Sequence, residues 1–219
     1  MSIGGLNYFM LWIILGIIIS YIIGSIPTAY IFGRLIKGTD IRSFGSGNVG
    51  ATNALRLLGR GWGVTVLALD ILKGFLPVII LGNYFAQKTT AAQEIFCILL
   101  GVSCILGHSW TIFLRFKGGK GVATTLGVLL GLSVNIPGLK MVLGLTMLIW
   151  LAVFIASRII SLASILAALS FPVFTAIFKQ SPAIIFTGIL LSIFIINRHK
   201  SNIKRLMAGK ESRLSFKNK

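Results

Sequence analysis

Three polar stretches of the chain carry residue types that bind phosphate, and each lies beside a long apolar segment. The first stretch, GSGNVGATN, occupies residues 45–53 and is followed by Arg56. Its glycines let successive backbone N–H groups turn toward one point, while Ser46 and Thr52 add hydroxyl donors and Arg56 adds positive charge. A helix that begins in the second half of the stretch would add its N-terminal dipole. The stretch therefore predicts an anion-binding cradle, and the alternative is an ordinary loop of turn residues.

The second stretch, GHSWTIFLRFKGGKGVATT, occupies residues 107–125 and places Lys117 and Lys120 around two glycines, directly before an apolar segment. These are the ingredients of a phosphate-binding loop. The P-loop pattern is not met, however, because Gly121 stands where Ser or Thr would follow the lysine. ATP hydrolysis is therefore disfavoured. For Lys117 the alternative is a lysine that only marks the membrane boundary.

The third stretch, NRHKSNIKRLMAGKE, occupies residues 197–211. On a helix His199 and Asn202 are three residues apart and therefore share one face. A lone histidine in a basic tail usually has no special role, so this spacing gains its meaning from the other two stretches. Glu211 is a single acid among tail cations, and we expect it to anchor the tail by pairing with one of them.

Asp70 and Lys73 lie three residues apart inside an apolar segment and share a helix face. A charge at the bilayer centre costs about 2.5–3.5 kcal/mol on insertion scales, so we expect the pair to face protein and neutralise itself. We interpret it as structural support for the site. The rival interpretation, a proton or ion relay, normally requires more acids within the membrane.

Several catalytic chemistries lack their residues in this chain. It has two histidines and four acids in all, and they are not spaced as a zinc site or as a carboxylate pair for acid–base catalysis. His108 does not open the His-x4-Asp motif of lysophosphatidate-type acyltransferases, because position 113 is Phe. We therefore expect no metal and no cofactor, and a site rich in phosphate-binding groups.

The composition is that of an integral membrane protein. Of 219 residues 56% are hydrophobic, and the mean hydropathy is +0.94. A spanning helix needs about 20 apolar residues. Seven segments approach that length: 8–33, 62–86, 93–114, 122–136, 138–156, 159–178 and 182–197. The fourth and the seventh are short, which predicts broken or tilted helices there.

The distribution of positive charge predicts the orientation of these segments. The chain has 21 Lys and Arg against 4 Asp and Glu. If the N-terminus is outside, the inner side receives all the cations except Lys88, Lys140 and Lys179, which lie outside, and Lys73, which lies within a span. The C-terminus is then cytoplasmic, together with the loops 34–61 and 115–121 and the tail 198–219. We expect residues 1–219 to form a single polytopic membrane domain that does not bind nucleic acid.

The motifs GSxNxGATN with a following Arg, LDxxKG, GHxxxxFLxFKGGKGVAT and RHxxNIxRLxxGxE occur in this order along the chain. In this respect the chain resembles the acyl-phosphate:glycerol-3-phosphate acyltransferases, the PlsY family, from about residue 24 to residue 211. The resemblance implies an enzyme of phospholipid synthesis in the bacterial cytoplasmic (inner) membrane, with its active site facing the cytoplasm. Its substrates would be acyl phosphate and glycerol 3-phosphate, and its products 1-acylglycerol 3-phosphate and phosphate.

The resemblance also implies roles for individual residues. Acyl phosphate would be held by Ser46, Asn48 and Thr52 with the backbone of Gly45, Gly47 and Gly50, and Gly118 and Gly119 would also bind substrate. Glycerol 3-phosphate would be held, or both phosphates bridged, by Arg56, Lys120, His199 and Asn202. Asp70, Lys73 and Glu211 would give structural support.

Two other functions remain open from the residues alone. A phosphate or phospholipid transporter would use the same anion site, but the spans carry one ionic pair and the outer loops lack matching polar motifs. A purely structural subunit would leave the three phosphate-type stretches without a role. Acyl-chain preference, oligomeric state, order of substrate binding and protein partners are not encoded in these motifs.

Overall fold

The computed structural model describes residues 3–84 and 90–214, and Lys88, Lys217 and Lys219 of the charge distribution lie outside these ranges. Within these ranges all regular structure is helical, which confirms the predicted all-α class. Two short 3₁₀ turns, Ile41–Ser43 and Ile112–Leu114, lie in the loops. The α-helices are α1 (Ile3–Ser25), α2 (Thr28–Lys37), α3 (Ala51–Leu58), α4 (Arg60–Tyr84), α5 (Thr90–Ser109), α6 (Val122–Asn135), α7 (Leu139–Ser157), α8 (Ile160–Ile177), α9 (Pro182–Arg198) and α10 (Lys200–Met207).

Five of the described helical segments are long and apolar enough to cross a membrane. The first of them, Met10–Lys37, combines most of α1 with α2. A sixth is counted if α9 and α10, which meet at an angle of 63°, form one span. The predicted fourth span is α6, an apolar helix of 14 residues, which at 1.5 Å per residue is about 21 Å long and too short to cross a hydrocarbon core unaided. The chain is a multi-pass membrane protein, and its count of seven spans stays a prediction.

The described residues cluster into two compact units that divide between Asn135 and Ile136. In the first unit α1 packs on α5 through glycines. A Cβ atom added to Gly24 would overlap the backbone of Cys104, and one added to Gly107 would overlap the carbonyl oxygen of Tyr21. Small residues let two helix backbones approach closely, as is common between helices in membranes.

Helix α6 packs on α4 in the same manner, and the contacts fix its register. A Cβ atom added to Gly74 of α4 would overlap the carbonyl oxygen of Thr124, near the start of α6. At the other end of α6 the Asn135 amide donates to the side-chain oxygen of Asn83 over 2.8 Å. The two helices therefore end together, whereas α6 begins beside the middle of α4.

The first unit has a polar centre at the break between α1 and α2. Pro27 disfavours a helical conformation in the residue before it and has no N–H of its own, so the helix is interrupted there. The interruption leaves backbone carbonyls available to other elements. The Thr111 hydroxyl donates to the Ser25 carbonyl over 2.5 Å, and the Lys73 ammonium donates to the Ile26 carbonyl over 2.9 Å.

Asp70 lies in the same polar centre and is 1% exposed. Its Oδ1 atom accepts a hydrogen bond of 2.6 Å from the Thr28 hydroxyl and lies 2.8 Å from the Lys73 ammonium. The Nδ1 atom of His108, at the end of α5, is 3.8 Å from the same oxygen. As the sequence predicts, Asp70 and Lys73 face protein and pair. They also join α2, α4 and α5.

In the second unit α8 packs against both α7 and α9. The Trp150 indole N–H of α7 donates to the Ser164 hydroxyl of α8 over 3.3 Å. The Ser192 hydroxyl of α9 donates to the Ala168 carbonyl of α8. These hydrogen bonds between apolar helices satisfy polar groups that lipid cannot.

The buried ion pair predicts a specific pattern of stability. Replacing Asp70 by Ala leaves the Lys73 ammonium buried without its carboxylate, and removing one partner of such a pair costs about 3–5 kcal/mol. Replacing both residues, as in Asp70→Leu with Lys73→Met, removes the charges together. We therefore expect the thermal midpoint of the purified protein in detergent to fall more in the single variant than in the double variant. Equal losses in the two variants would contradict this explanation.

Candidate active site

The first glycine-rich loop is held in place by Asn53, which is buried at the start of α3. The Asn53 amide donates to the carbonyl oxygens of Ile41 and Phe44, both over 3.0 Å. Its side-chain oxygen accepts from the backbone N–H of Ser46 over 3.2 Å. The NH₂ group and the oxygen of the Asn53 amide therefore both hold the loop over the N-terminus of α3.

This arrangement exposes the groups expected to bind an anion. Gly45 and Gly47 adopt φ angles of +57° and +68°, in the left-handed region that favours glycine. Ser46 between them is exposed, and a Cβ atom on Gly45 would lie 3.9 Å from Cδ of Arg56. Helix α3 begins at Ala51 without a side-chain cap, so its first N–H groups point toward the loop. The predicted helix start is thus confirmed. Asn48 and Thr52 are half-buried and Gly50 is buried.

The second glycine-rich loop closes the C-terminal end of α5. The backbone N–H groups of Gly118 and Gly119 donate to the carbonyls of Ser109 and His108, each over 3.1 Å. The last carbonyls of a helix have no partner within it, so these bonds satisfy groups that would otherwise be unpaired. Lys120 follows directly and is half-buried.

Gly119 is the point where the two loops meet. A Cβ atom at this position would overlap Nε2 of His108 and would lie 2.6 Å from the carbonyl oxygen of Val49 in the first loop. The His108 ring therefore lies between Gly119 on one side and Asp70 on the other. The two phosphate-type stretches, 70 residues apart in sequence, are side by side in the first unit.

Beneath the loops an apolar cluster joins α2, the first loop, α3, α4 and the 3₁₀ turn at Ile112–Leu114. Its buried members are small or branched and exclude water from the underside of the loops. They are Ala29, Ile41, Val49, Ala54, Val66 and Leu114.

The third predicted constellation lies in the second unit. The His199 Nδ1 atom is 2.8 Å from the Ile195 carbonyl, which can only accept, so Nδ1 carries the proton. The Asn202 amide donates to Oε1 of Glu211 over 2.6 Å. His199 and Asn202 are both buried. Their side chains are thus fixed by contacts within α9, α10 and the tail.

Glu211 pairs as expected and gathers three partners. Besides Asn202, the Ser161 hydroxyl donates to Oε1 over 2.8 Å and the Arg205 Nε donates to Oε2 over 2.6 Å. Burial raises the pKa of Glu211, but the hydrogen bonds from Asn202, Arg205 and Ser161 outweigh it, and the pKa lies below its ordinary value. Glu211 therefore anchors the tail to α8 and orients Asn202.

Two positioning residues were not among the predicted site residues. Asn53 stands at the end of the GSGNVGATN stretch, where its type alone is compatible with a turn. His108 stands in the motif GHxxxxFLxFKGGKGVAT, but no role was predicted for it. Each is identified as a positioning residue by its hydrogen bonds or contacts to distant parts of the chain. The residues next to it in sequence do not predict these contacts.

Comparison with known proteins places this geometry in a class. The family model of glycerol-3-phosphate acyltransferase matches residues 14–209. A glycerol-3-phosphate acyltransferase of Thermoanaerobacter sp. (strain X514) is 40% identical, with 94% of this chain and 98% of the relative aligned. Glycerol-3-phosphate acyltransferase 2 of Moorella thermoacetica is 46% identical, with 93% and 98% aligned.

Solved structures agree. A crystal structure of PlsY (YgiH), an integral membrane glycerol 3-phosphate acyltransferase, in its glycerol 3-phosphate form has a TM-score of 0.82 at 39% identity, covering 93% of this chain and 96% of that chain. Its lysophosphatidic acid form has a TM-score of 0.78 at 36% identity, covering 93% and 95%. The fold is therefore that of an integral membrane acyltransferase. The chain belongs to the glycerol-3-phosphate acyltransferase family, as the motifs indicated.

The contact at Gly119 generates a prediction. In Gly119→Ala the new methyl group meets the His108 ring and a backbone carbonyl, and overpacking of this kind costs about 1–3 kcal/mol. We expect a lower thermal midpoint and a loss of acyltransferase activity, because the two loops move apart. Gly61→Ala is the matched control, since a Cβ atom there meets nothing within 4 Å. If Gly119→Ala is as stable and active as Gly61→Ala, the contact does not position the loops.

Glu211 generates a second prediction, with a definite pH dependence. Because its pKa is lower in the folded protein, Glu211 contributes stability that is present above its ordinary pKa of 4.5 and is lost as the pH falls through the folded value. We expect Glu211→Gln to lower the free energy of unfolding by about 1–3 kcal/mol at neutral pH, and the difference from the wild type to shrink below pH 4.5. Denaturation followed at several pH values measures it. A raised KM for substrate with a smaller effect on the free energy of unfolding, both expressed as free energies, would instead make Glu211 a substrate-binding residue.

Proposed function

We propose that the protein transfers a fatty acyl group from acyl phosphate to the 1-hydroxyl of sn-glycerol 3-phosphate. The products are 1-acylglycerol 3-phosphate, which is lysophosphatidate, and inorganic phosphate, the first acylation step of phospholipid synthesis. The observation that carries this proposal is the contact of Gly119 with the Val49 carbonyl, which sets two phosphate-type loops side by side. Two adjacent anion sites suit a reaction in which both donor and acceptor carry phosphate. Family membership supports the acyltransferase activity itself.

The proposed roles follow the motifs. Ser46 and the first loop hold the donor phosphate through hydroxyls and backbone N–H groups. Gly118 and Gly119, whose own N–H groups cap α5, contribute by shaping the second loop beside it. Arg56 and Lys120 supply positive charge beside these loops. His199 and Asn202 hold glycerol 3-phosphate or bridge both phosphates. Since His199 carries its proton on Nδ1 and donates it to Ile195, its Nε2 atom can donate to a phosphate oxygen only when the ring is protonated.

The acyl phosphate is already activated, so the protein need only position the reactants and neutralise charge. The acceptor hydroxyl oxygen attacks the acyl carbonyl carbon, and the bond from that carbon to the phosphate oxygen breaks. We propose that the hydroxyl proton passes to an oxygen of the departing phosphate. The transfer is direct, with no acyl group bound to the enzyme.

For topology we propose a single polytopic domain of about seven spans in the bacterial inner membrane. The N-terminus is outside and the C-terminus cytoplasmic, so that the loops 34–61 and 115–121 and the tail 198–219 share the cytoplasmic side. The excess of Lys and Arg in these segments supports this orientation. Acyl phosphate and its acyl chain then approach within the bilayer, and glycerol 3-phosphate approaches from water.

The activity can be tested with the purified protein in lipid mesophase, by adding palmitoyl phosphate and glycerol 3-phosphate singly and together. We expect phosphate release only with both substrates, matched one for one by lysophosphatidate. Lys120→Gln should lower kcat/KM by roughly 100-fold, the loss typical of one removed transition-state donor, whereas the exposed Lys37→Gln should match the wild type. Folded protein that releases no phosphate with both substrates would refute the proposal, and an acyl ester trapped on Ser46 would refute direct transfer.

A further inference from the structure

A depression in the first unit is lined by residues that have no role in the proposed reaction. Its volume is about 340 Å³, and it lies between α2, the 3₁₀ turn Ile41–Ser43 and the segment that follows α5. Its lining consists of Tyr30, Arg42, Phe113, Leu114, Arg115 and Lys117. It thus combines three cations with two aromatic rings.

The charge of this depression is only partly neutralised. Arg42 pairs with Asp40, with Nη2 at 2.7 Å and Nε at 3.0 Å from its carboxylate oxygens, and its guanidinium lies 5.4 Å from the centre of the Tyr30 ring. The hydrogen bond from Arg42 holds the pKa of Asp40 below its ordinary value, so that this acid is ionised. Arg115 and Lys117 add two further positive charges to the lining. The depression therefore favours an anion.

The backbone at the rim is held in a costly conformation. Arg115 and Phe116 are consecutive non-glycine residues in the left-handed region, with φ angles of +52° and +61°. This conformation costs roughly 1–2 kcal/mol for each such residue. It is fixed by the Phe116 N–H donating to the buried Thr111 carbonyl over 2.8 Å and the Lys117 N–H donating to the Leu114 carbonyl over 3.2 Å. Side chains kept in place at such a cost are expected to have a function.

Beside the cations the same segment presents apolar side chains to its surroundings. Ile112, Phe113 and Phe116 are 54%, 58% and 58% exposed. They follow directly on the end of the spanning helix α5, where aromatic residues lie at the level of lipid headgroups. Cations in a depression with exposed apolar side chains beside it fit a ligand that has both a phosphate and acyl chains.

We propose that this depression binds the phosphate group of an anionic membrane phospholipid, with Arg115 and Lys117 as its main ligands and the acyl chains lying along Phe113 and Phe116. Arg42, fixed by Asp40 and Tyr30, completes the site. The lipid is distinct from both substrates. Lys117 thereby has a role that differs from that of Lys120, three residues later in the same loop.

The first measurement follows lipid binding in the absence of substrates, so its outcome does not depend on the proposed reaction. The purified protein is placed in phosphatidylcholine nanodiscs with increasing fractions of phosphatidylglycerol, and retained phosphatidylglycerol is measured by native mass spectrometry. Arg115→Gln with Lys117→Gln should weaken phosphatidylglycerol retention roughly tenfold or more, since each cation near an anionic lipid contributes roughly a fivefold change in affinity. Lys37→Gln with Lys204→Gln removes two exposed charges elsewhere and should retain the lipid like the wild type.

Two results would overturn the proposal. One is equal retention of phosphatidylglycerol by the two double variants. The other is a raised KM for acyl phosphate in phosphatidylcholine alone with retention unchanged, which would assign the depression to the donor substrate. If the double variant at positions 115 and 117 does not fold, two other measurements replace it: retention of phosphatidylglycerol by the single variant Lys117→Gln, and retention by the wild type at rising salt concentration. Retention that changes in neither measurement would refute the lipid site.

Discussion

One carboxylate oxygen organises the first unit of this acyltransferase. Oδ1 of Asp70 receives the Thr28 hydroxyl and the Lys73 ammonium and faces the His108 ring. A carboxylate buried among apolar helices is tolerable only with such partners, so its presence dictates where the elements that carry them must lie. The break before α2, the middle of α4 and the end of α5 therefore converge. The glycine loop then rests on the last turn of α5, with Gly119 against the other side of the same imidazole ring.

The part of this arrangement that is local in sequence was predictable. Asp70 and Lys73 are three residues apart, so helical periodicity alone indicates that they pair. Thr28 and His108 are 42 and 38 residues away from Asp70, and the residues around them in sequence do not predict that both lie beside its Oδ1 atom. The same holds for Asn53, whose three hydrogen bonds shape the first loop although its residue type is ordinary for a turn. Helix α6 was expected to be short from its run of apolar residues, but its register on α4 depends on glycine contacts that hydropathy does not report.

In the second unit Glu211 pairs with a tail cation, as predicted, and it also makes hydrogen bonds that were not predicted. Glu211 pairs with Arg205, as a lone acid among cations should, and its other oxygen also holds Asn202 and Ser161. A proposed substrate ligand and a proposed support are thus parts of one hydrogen-bond network. In such a network the orientation of Asn202 depends on the ionisation of Glu211, and the motif RHxxNIxRLxxGxE is best understood as a unit and not as separate functional positions.

The short helix α6 determines where the second glycine-rich loop lies. Thr124 and Gly127 of α6 meet Gly74 and Ile71, about halfway along α4, while the last residue of α6, Asn135, is level with Asn83. The glycine loop that precedes α6 therefore lies beside the first half of α4 and not beyond its first residue, Arg60. A full-length helix would occupy the place beside the first half of α4 where this loop, the end of α5 and the first glycine-rich loop meet, so the shortness of α6 makes room for the candidate site.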